Sequence, residues 1–145
     1  MNILELCDEV PAAVTLSASV RDAIQTMLDN RVGAVAIVDE NRRVAGIFTE
    51  RDVLRKLALS GSDPAQTPVR NLMTTPVQMA TVETTPGEAL EVMVDRHIRH
   101  LPIADANGKL LGILSIRHLL QSRVDDLTSQ LDSLETSLTN DAQGG

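Results

Sequence analysis

The 145-residue sequence has no tryptophan and no tyrosine, and Phe48 is its one phenylalanine. Basic residues are also in the minority, since 13 Lys and Arg stand against 20 Asp and Glu for a net charge of −7. Nucleic-acid-binding proteins usually present a basic face, often with aromatic rings that stack on bases. Neither feature is present in bulk, so we expect no nucleic-acid partner. Any bound anion needs locally placed basic residues.

Cysteines and long apolar runs are equally scarce. Cys7 is the single cysteine, which excludes an intramolecular disulfide and a zinc site built from several cysteines. No apolar run approaches the roughly 18–20 residues of a membrane span. The first eleven residues carry Glu5, Asp8 and Glu9 but no Lys or Arg, whereas a secretory signal begins with positive charge. We therefore expect a cytoplasmic protein with no membrane partner.

The sequence contains an internal repeat. Gly46-Ile47 recurs as Gly112-Ile113, a shift of 112 − 46 = 66 residues, and the same shift relates Met27 to Met93. No gap is needed between residues 14 and 120. A register that persists through predicted helices, strands and turns indicates a duplicated structural unit.

Each copy predicts the order β-α-β-β-α. In copy one the predicted elements are an extended start over 14–16, a helix capped by Ser19, strands over 32–38 and 44–48, and a closing helix after Thr49. In copy two the extended start covers 80–82, and Thr85-Pro86 begins the helix. Each copy alone is small for a stable domain. We therefore expect an α/β (α+β) fold in which tandem copies pack sheet against sheet about a pseudo-twofold axis.

The predicted boundaries follow from these patterns. They are repeat one over 8–59, a linker over 60–72, repeat two over 73–122, a C-terminal helix over 123–140 and a frayed tail over 141–145. The linker is small and polar and contains Pro64 and Pro68, which is typical of a loop. Residues 1–10 could add a short helix that packs on the pair.

The C-terminal helix carries an apolar stripe spaced 4, 3, 4, 3 and 4 residues apart. Its members are Leu120, Val124, Leu127, Leu131, Leu134 and Leu138. This is the a/d spacing of a coiled coil, although charge pairs at the e and g positions are nearly absent. The helix either folds onto its own domain or pairs with a second copy. We favour self-association, which gives a homodimer.

The segment where the second strand of copy one meets its closing helix reads GIFTERDVL (46–54). Thr49 and Asp52 are three residues apart, so they can cap the helix. They can also bind a ligand, because a carboxylate can accept hydrogen bonds from both hydroxyls of a cis-diol. The free N–H groups of a helix start also favour nearby anions. Both interpretations stay open at this point.

Three segments resemble the cystathionine β-synthase (CBS) domain: GIFTERDVL at 46–54, HIRHLPIAD at 97–105 and GILSIRHLL at 112–120. The tandem pair resembles a Bateman module over about residues 8–122. The resemblance implies a regulatory binding module and not an enzyme, with no required cofactor. It implies an adenosine-containing ligand (AMP, ADP, ATP or S-adenosylmethionine) between the repeats, frequent homodimers and an unknown protein effector.

The same resemblance implies a role for particular residues. Thr49 and Asp52 would bind the ribose. The adenine pocket would be lined by Val14, Thr15, Val32, Gly33, Ala34 and Ala36. Independently of the resemblance, copy two has Arg99 and His100 where copy one has Gly33 and Ala34, and arginine is a good phosphate ligand, so we expect these two residues to contact phosphate across the cleft. In copy two Ser115 is kept but His118 replaces the aspartate, so a second site formed with Thr81 and Ile98 is expected to be weaker.

Metal binding and catalysis find little support in the sequence. All three histidines, His97, His100 and His118, lie in copy two. His97 and His100 are an odd number of residues apart, so a strand would point them to opposite faces. There is no P-loop or GxGxxG motif, and Ser115 with His118 has no evident acidic partner. The alternative to a ligand sensor is a structural or dimerisation module with a vestigial nucleotide site.

Overall fold

The computed structural model describes residues 2–144, with side chains as far as residue 138. The strands are β1 (Ala13–Thr15), β2 (Ala34–Val38), β3 (Val44–Thr49), β4 (His100–Ala104) and β5 (Leu110–Ser115). The α-helices are α1 (Val20–Asn30), α2 (Glu50–Asp52), α3 (Pro86–Arg96) and α4 (Ile116–Gly144). Short 3₁₀ helices cover Ile3–Leu6 and Val69–Asn71, and a π-helix over Val53–Leu57 continues α2. The predicted α/β class is confirmed, and the predicted order of elements is found in repeat one.

Repeat one forms a three-stranded sheet in the order β1-β2-β3. β1 runs parallel to β2, and β3 is antiparallel to it. All five residues of β2 are buried because the strand is apolar on both faces. The amphipathic helix α1 covers one face of the sheet, where Val20, Ala23 and Met27 join Phe48 in one core cluster. Ser19 caps α1 through a capping box with Asp22, as expected.

Repeat two keeps the hairpin β4-β5 but lacks a full counterpart of β1. The expected extended start over 80–82 is reduced to a single parallel bridge between Ala80 and Ile103. In repeat one, the N–H of Ala36 donates to the carbonyl oxygen of Ala12 at 3.0 Å. The equivalent residue in repeat two is Pro102, which has no N–H to donate. The pairing is therefore shorter there.

The two sheets meet in a small apolar cluster centred on Ala36, Val38 and Leu110. Beside it the two hairpin turns bond to each other in a reciprocal pair. The N–H of Val44 donates to Gly108 O and the N–H of Leu110 donates to Arg42 O, each at 3.0 Å. The donors of the two bonds are 66 residues apart, and so are the acceptors. The two bonds are therefore related by the pseudo-twofold axis between the repeats.

The N-terminal segment packs on repeat two. The 3₁₀ helix begins after Asn2, whose side chain accepts from the N–H of Leu4 at 2.9 Å. Ile3 is fully buried against the core of repeat two. The observed helix is shorter than the segment 1–10 proposed from sequence, and Met1 lies outside the described residues.

The C-terminal helix differs from the expectation at both ends. It begins at Ile116, not at residue 123, because α4 is the closing helix of repeat two continued without a break. Residues 116–143 contain no proline or glycine that would end it. The tail expected to fray is helical as far as Gly144, and Gly145 lies outside the described residues.

Beyond Ser122 the helix leaves the body of the protein. Every side chain from 123 to 138 is exposed, and Leu127, Leu131 and Leu138 are each about 60% exposed. At about 1.5 Å per residue this segment projects for roughly 24 Å. The interpretation that the stripe folds onto its own domain is therefore wrong. Over residues 2–144, no helix combines the length and the apolar character needed to cross a membrane.

Candidate functional site

The strand-to-helix junction of repeat one is a capping box. The N–H of Asp52 donates to Thr49 Oγ1 at 3.3 Å, and the N–H of Thr49 donates to Asp52 Oδ2 at 3.0 Å. The Thr49 hydroxyl also lies 3.3 Å from the same carboxylate oxygen. The capping interpretation of the Thr49/Asp52 pair is thus confirmed. At the equivalent junction of repeat two, Ser115 Oγ accepts from the N–H of His118 at 3.3 Å.

The second carboxylate oxygen of Asp52 is also occupied. Asp52 Oδ1 accepts from the Thr74 hydroxyl at 2.9 Å and forms an ion pair with Lys56 Nζ at 3.2 Å. Lys56 donates in addition to the carbonyl oxygens of Leu72 and Met73, at 3.1 and 3.4 Å. Asp52 is only 6% exposed. Its carboxylate therefore joins the helix start to the end of the linker between the repeats.

A cleft of about 630 Å³ opens beside this junction, and we call it the first cleft. It lies between repeat one and the segment that joins α3 to β4 in repeat two. Its lining residues are Gly33, Ile47, Thr49, Glu50, Arg51, Asp52, Arg55, Lys56, Thr74, Arg96, His97, Ile98, Arg99 and His100. Arg51 crosses between the repeats, because its Nη1 donates to the carbonyl oxygen of His97 at 2.9 Å.

A second cleft of about 680 Å³ lies on the other side of the contact between the repeats. Here the junction of repeat two faces the segment that joins α1 to β2. Among the lining residues are Asp8, Arg31, Val32, Gly33, Ala34, Glu50, Arg99, His100, Ser115, Arg117 and His118. Both volumes fall within the range of about 300–1,000 Å³ common for small-molecule sites.

Gly33, Glu50 and His100 belong to the wall that the clefts share. A Cβ on Gly33 would lie 3.3 Å from Glu50 Cδ and 3.3 Å from His100 Cε1, closer than most real contacts. The N–H of Glu50 donates to Gly33 O at 3.0 Å. The equivalent N–H of Ile116 donates to Arg99 O at 2.8 Å. This repeated bond fixes each helix start against the segment that precedes β2 or β4.

The predicted site residues are distributed differently from the sequence-based grouping. Thr49 and Asp52 share the first cleft with Ile98, Arg99 and His100, although Ile98 was assigned to the second site. Val32 and Ala34 line the second cleft together with Ser115 and His118, and Gly33 lines both. The pseudo-twofold packing explains the exchange. Each strand-to-helix junction faces the helix-to-strand segment of the other repeat.

Four predicted site residues line neither cleft. Ala36 is fully buried between the sheets, and Val14 packs on the core of repeat one. The Thr15 hydroxyl lies 2.9 Å from Ser17 Oγ. The Thr81 hydroxyl accepts from the N–H of Glu83 at 3.3 Å, within a turn. These residues support the fold around the clefts.

The positions of the histidines also differ from those expected from the sequence. His97 is not on a strand. It ends α3 in the left-handed conformation, with φ of 56°, and β4 begins at His100. Burial lowers the pKa of His100 from 6.5, partly opposed by Glu50 and assisted by Arg99. Among the side chains that the structure describes, no group of three or more His, Cys, Asp or Glu is arranged to hold a metal ion.

Several basic residues of the first cleft were not predicted from the sequence. These are Arg51, Arg55, Lys56 and Arg96. One signal was available for Lys56, which stands four residues after Asp52, the spacing of an ion pair on one helix face. The others had no such signal. Their common cleft depends on how the two repeats pack together.

Comparison with known proteins agrees with this architecture. The family model of the CBS domain matches residues 4–59 and 69–125. These segments are slightly wider than the predicted repeats over 8–59 and 73–122. The two matches cover most of the chain, so the protein belongs to the CBS-domain family.

Several curated relatives share this pair of repeats. An uncharacterised 17.7 kDa protein of Acidianus ambivalens is 38% identical over 79% of this chain and 68% of its own length. The mitochondrial CBS domain-containing protein CBSX3 of Arabidopsis thaliana is 34% identical over 90% of this chain and 63% of its own. The arabinose 5-phosphate isomerase GutQ of Shigella flexneri is 33% identical, and the match covers 37% of that enzyme. The chain thus spans from about a third to two thirds of these relatives.

Two solved structures illustrate the likeness in three dimensions. A putative signal-transduction protein with CBS domains from Burkholderia ambifaria has a TM-score of 0.77 and 34% identity. The match covers 86% of this chain and 92% of that one. The CBS domain protein PAE2072 from Pyrobaculum aerophilum, complexed with AMP, has a TM-score of 0.74 and 28% identity. That match covers 81% of this chain and 89% of the other.

Proposed function

We propose that this protein is a regulatory module that binds an adenosine-containing ligand (AMP, ADP, ATP or S-adenosylmethionine) between its two CBS repeats. The observation that carries the proposal is the pair of clefts at the repeat junctions. Seven of the 13 basic residues of an acidic chain line them: Arg31, Arg51, Arg55, Lys56, Arg96, Arg99 and Arg117. The AMP complex of the Pyrobaculum relative supports the ligand class. The bound module would signal to a protein effector, in the cytoplasm by the sequence-based expectation.

Within the first cleft, Arg99 and His100 are the proposed phosphate contacts and Thr49 with Asp52 the proposed ribose contacts. A ribose diol could bond to Asp52 only by replacing one of its present partners, which are the Thr49 N–H and hydroxyl on Oδ2 and the Thr74 hydroxyl and Lys56 ammonium on Oδ1. In the second cleft, Ser115 and His118 are the proposed ligand contacts. A neutral imidazole accepts one hydrogen bond where a carboxylate accepts several. We therefore propose that the second cleft binds the ligand more weakly.

Isothermal titration of ligand-free protein with the four candidate ligands tests the proposal. Arg99→Ala should weaken nucleotide binding, because Arg99 lines both clefts and guanidinium groups bind phosphate strongly. Arg21→Ala is the matched control, since Arg21 is exposed on α1 and lines neither cleft. Equal affinities for the two variants would show that Arg99 has no phosphate role.

We also propose that the protein is a homodimer in which two copies of α4 pair. The apolar stripe from Val124 to Leu138 is exposed, and its spacing suits a second helix with the same stripe. Asp125, Asp126 and Asp132 lie at b and c positions of this heptad, away from the seam. A second copy is therefore the occupant that this face fits best.

Sedimentation equilibrium tests the helix pairing. Leu127→Asp with Leu134→Asp should convert the dimer to a monomer, because two charges would enter the apolar seam. Ser129→Asp with Ser133→Asp adds the same charge at f and c positions and should leave the dimer intact. A monomeric parent protein, or equal association of both double variants, would contradict the pairing.

One observation favours the alternative of a structural dimerisation module with a vestigial nucleotide site. All the contacts of Asp52 are already made within the protein, as helix capping requires. The alternative predicts that the four candidate ligands fail to bind at millimolar concentration while the dimer persists. The two functions are therefore separated by the same titration.

A further inference from the structure

The first cleft is a basic site in an otherwise acidic protein. Five basic residues line it, namely Arg51, Arg55, Lys56, Arg96 and Arg99, against two carboxylates, Glu50 and Asp52. With histidines neutral, its lining has a charge of 5 − 2 = +3. The whole chain has −7, so the remaining residues carry −7 − 3 = −10. A concave site with charge opposite to its surroundings concentrates anions.

Three of these five cations have no partner among the described residues. Arg51 donates to His97 O, and Lys56 is held by Asp52 and the linker. By contrast, the guanidinium groups of Arg55, Arg96 and Arg99 make no hydrogen bond or ion pair within residues 2–138. Arg55 comes from repeat one, whereas Arg96 and Arg99 come from repeat two. Guanidinium groups from both repeats thus share one cleft without an ion-pair partner among the side chains of residues 2–138.

Acceptors for sugar hydroxyls are less available in the same cleft. A carboxylate offers about four lone-pair positions. Those of Asp52 meet the Thr49 N–H, the Thr49 hydroxyl, the Thr74 hydroxyl and Lys56. Binding a diol there requires breaking an existing contact. Binding an anion uses guanidinium groups that have no partner to lose.

We infer that the first cleft recognises its ligand mainly through a chain of two or more linked phosphates, held by Arg55, Arg96 and Arg99. The inference rests on the proposed function and narrows its ligand class to nucleoside di- or triphosphates. Free inorganic polyphosphate has the same chemistry and is separated by the test. The sulfonium cation of S-adenosylmethionine fits this cleft poorly. The second cleft is less basic, with Arg31, Arg99 and Arg117 against Asp8 and Glu50 among its lining residues.

Calorimetric titration of the ligand-free full chain at physiological salt tests the inference. The probes are ATP, AMP, adenosine, S-adenosylmethionine and inorganic tripolyphosphate. We expect ATP to bind at least about tenfold more tightly than AMP, since each added charge gains contacts with cations. Adenosine and S-adenosylmethionine should bind more weakly still, and tripolyphosphate should compete with ATP.

Two double variants test whether these arginines account for the ATP affinity. Arg55→Ala with Arg96→Ala should reduce ATP affinity by at least about tenfold while leaving adenosine binding unchanged. Arg21→Ala with Arg43→Ala removes the same charge outside both clefts and should leave ATP affinity close to that of the parent. Far-UV circular dichroism checks that each variant is folded. Equal ATP affinity of the two double variants would overturn the inference.

The outcomes also separate this inference from the proposed function. If adenosine binds as tightly as ATP, the adenosine-binding function stands and the polyphosphate inference is overturned. If tripolyphosphate binds as tightly as ATP and adenosine adds nothing, the anion site stands and the adenosine-specific function fails. If no probe binds, both are overturned.

Discussion

Replacing Asp52 by alanine should destabilise the protein even when no ligand is present. The substitution removes the acceptor of two part-buried hydrogen bonds, the capping-box bond from the Thr49 N–H and the bond from the Thr74 hydroxyl, which costs about 1–3 kcal/mol. The N-cap bond from the N–H of residue 52 to Thr49 Oγ1 is kept. The Lys56 side chain is 38% exposed, so the lost ion pair adds less than about 1 kcal/mol. We expect a total loss of about 1–4 kcal/mol.

The pseudo-symmetry provides a matched control for this experiment. His118 occupies the position equivalent to Asp52, and of the capping contacts it makes only the bond from its own N–H to Ser115 Oγ. That bond survives in His118→Ala, so the free energy of unfolding of this variant should fall by less than about 1 kcal/mol. Asp52→Asn keeps one oxygen acceptor, so its loss of stability should lie between those of Asp52→Ala and His118→Ala.

Urea denaturation followed by circular dichroism measures these differences, since the chain has no tryptophan for fluorescence. The proteins should first be unfolded, dialysed and refolded to remove bound ligand. If Asp52→Ala is no less stable than His118→Ala, the carboxylate does not hold the helix start and the linker in the way described. If Asp52→Ala is less stable than the parent protein only when nucleotide is present, Asp52 contributes to stability only through the bound ligand.

Three further predictions follow from single contacts. Gly46→Ala should destabilise the protein by about 1–3 kcal/mol in urea denaturation, because a Cβ there would overlap the Met73 sulfur. Gly112→Ala, whose Cβ would meet Cys7 at 3.1 Å, should cost less; the reverse order would contradict the packing. Burial and Asp8 raise the pKa of Cys7 from 9.0 to about 11, so its thiol should react slowly with iodoacetamide at pH 8 until urea unfolds the chain. Equal reaction rates in the folded and the unfolded protein would refute this. Burial of His100 lowers its pKa from 6.5, so the unfolded state binds more protons and stability should fall as the pH drops below about 6.5. His100→Gln should lessen that fall, and an identical pH profile would contradict it.

The repeats and the helix starts could be predicted because both depend on local signals. The 66-residue shift gives the order of elements in each half. Ser19, Thr49 and Thr85 each cap a helix in the structure, as their sequence positions indicated. Pro102 also carried a readable signal, the missing N–H that shortens the counterpart of β1. Its consequence was evident only once Ala36 was seen bonded to Ala12.

The grouping of residues into clefts could not be predicted from one sequence. It depends on how the repeats pack together, and that packing places Ile98 beside Asp52 and Val32 beside Ser115. The left-handed ends of α1 and α3 at Arg31 and His97 were equally hidden. Neither residue is glycine, and a positive φ is uncommon in other residues, although histidine is enriched among those that adopt it.

The most direct test of the central claim is equilibrium dialysis against AMP, ADP, ATP or S-adenosylmethionine, read by absorbance near 260 nm. The protein has no tryptophan or tyrosine and is nearly transparent at 280 nm, so a bound adenine dominates the spectrum. The account predicts an excess of adenine on the protein side approaching one or two ligands per chain. No excess for any of the four at millimolar concentration would contradict it and leave the dimerisation module as the function.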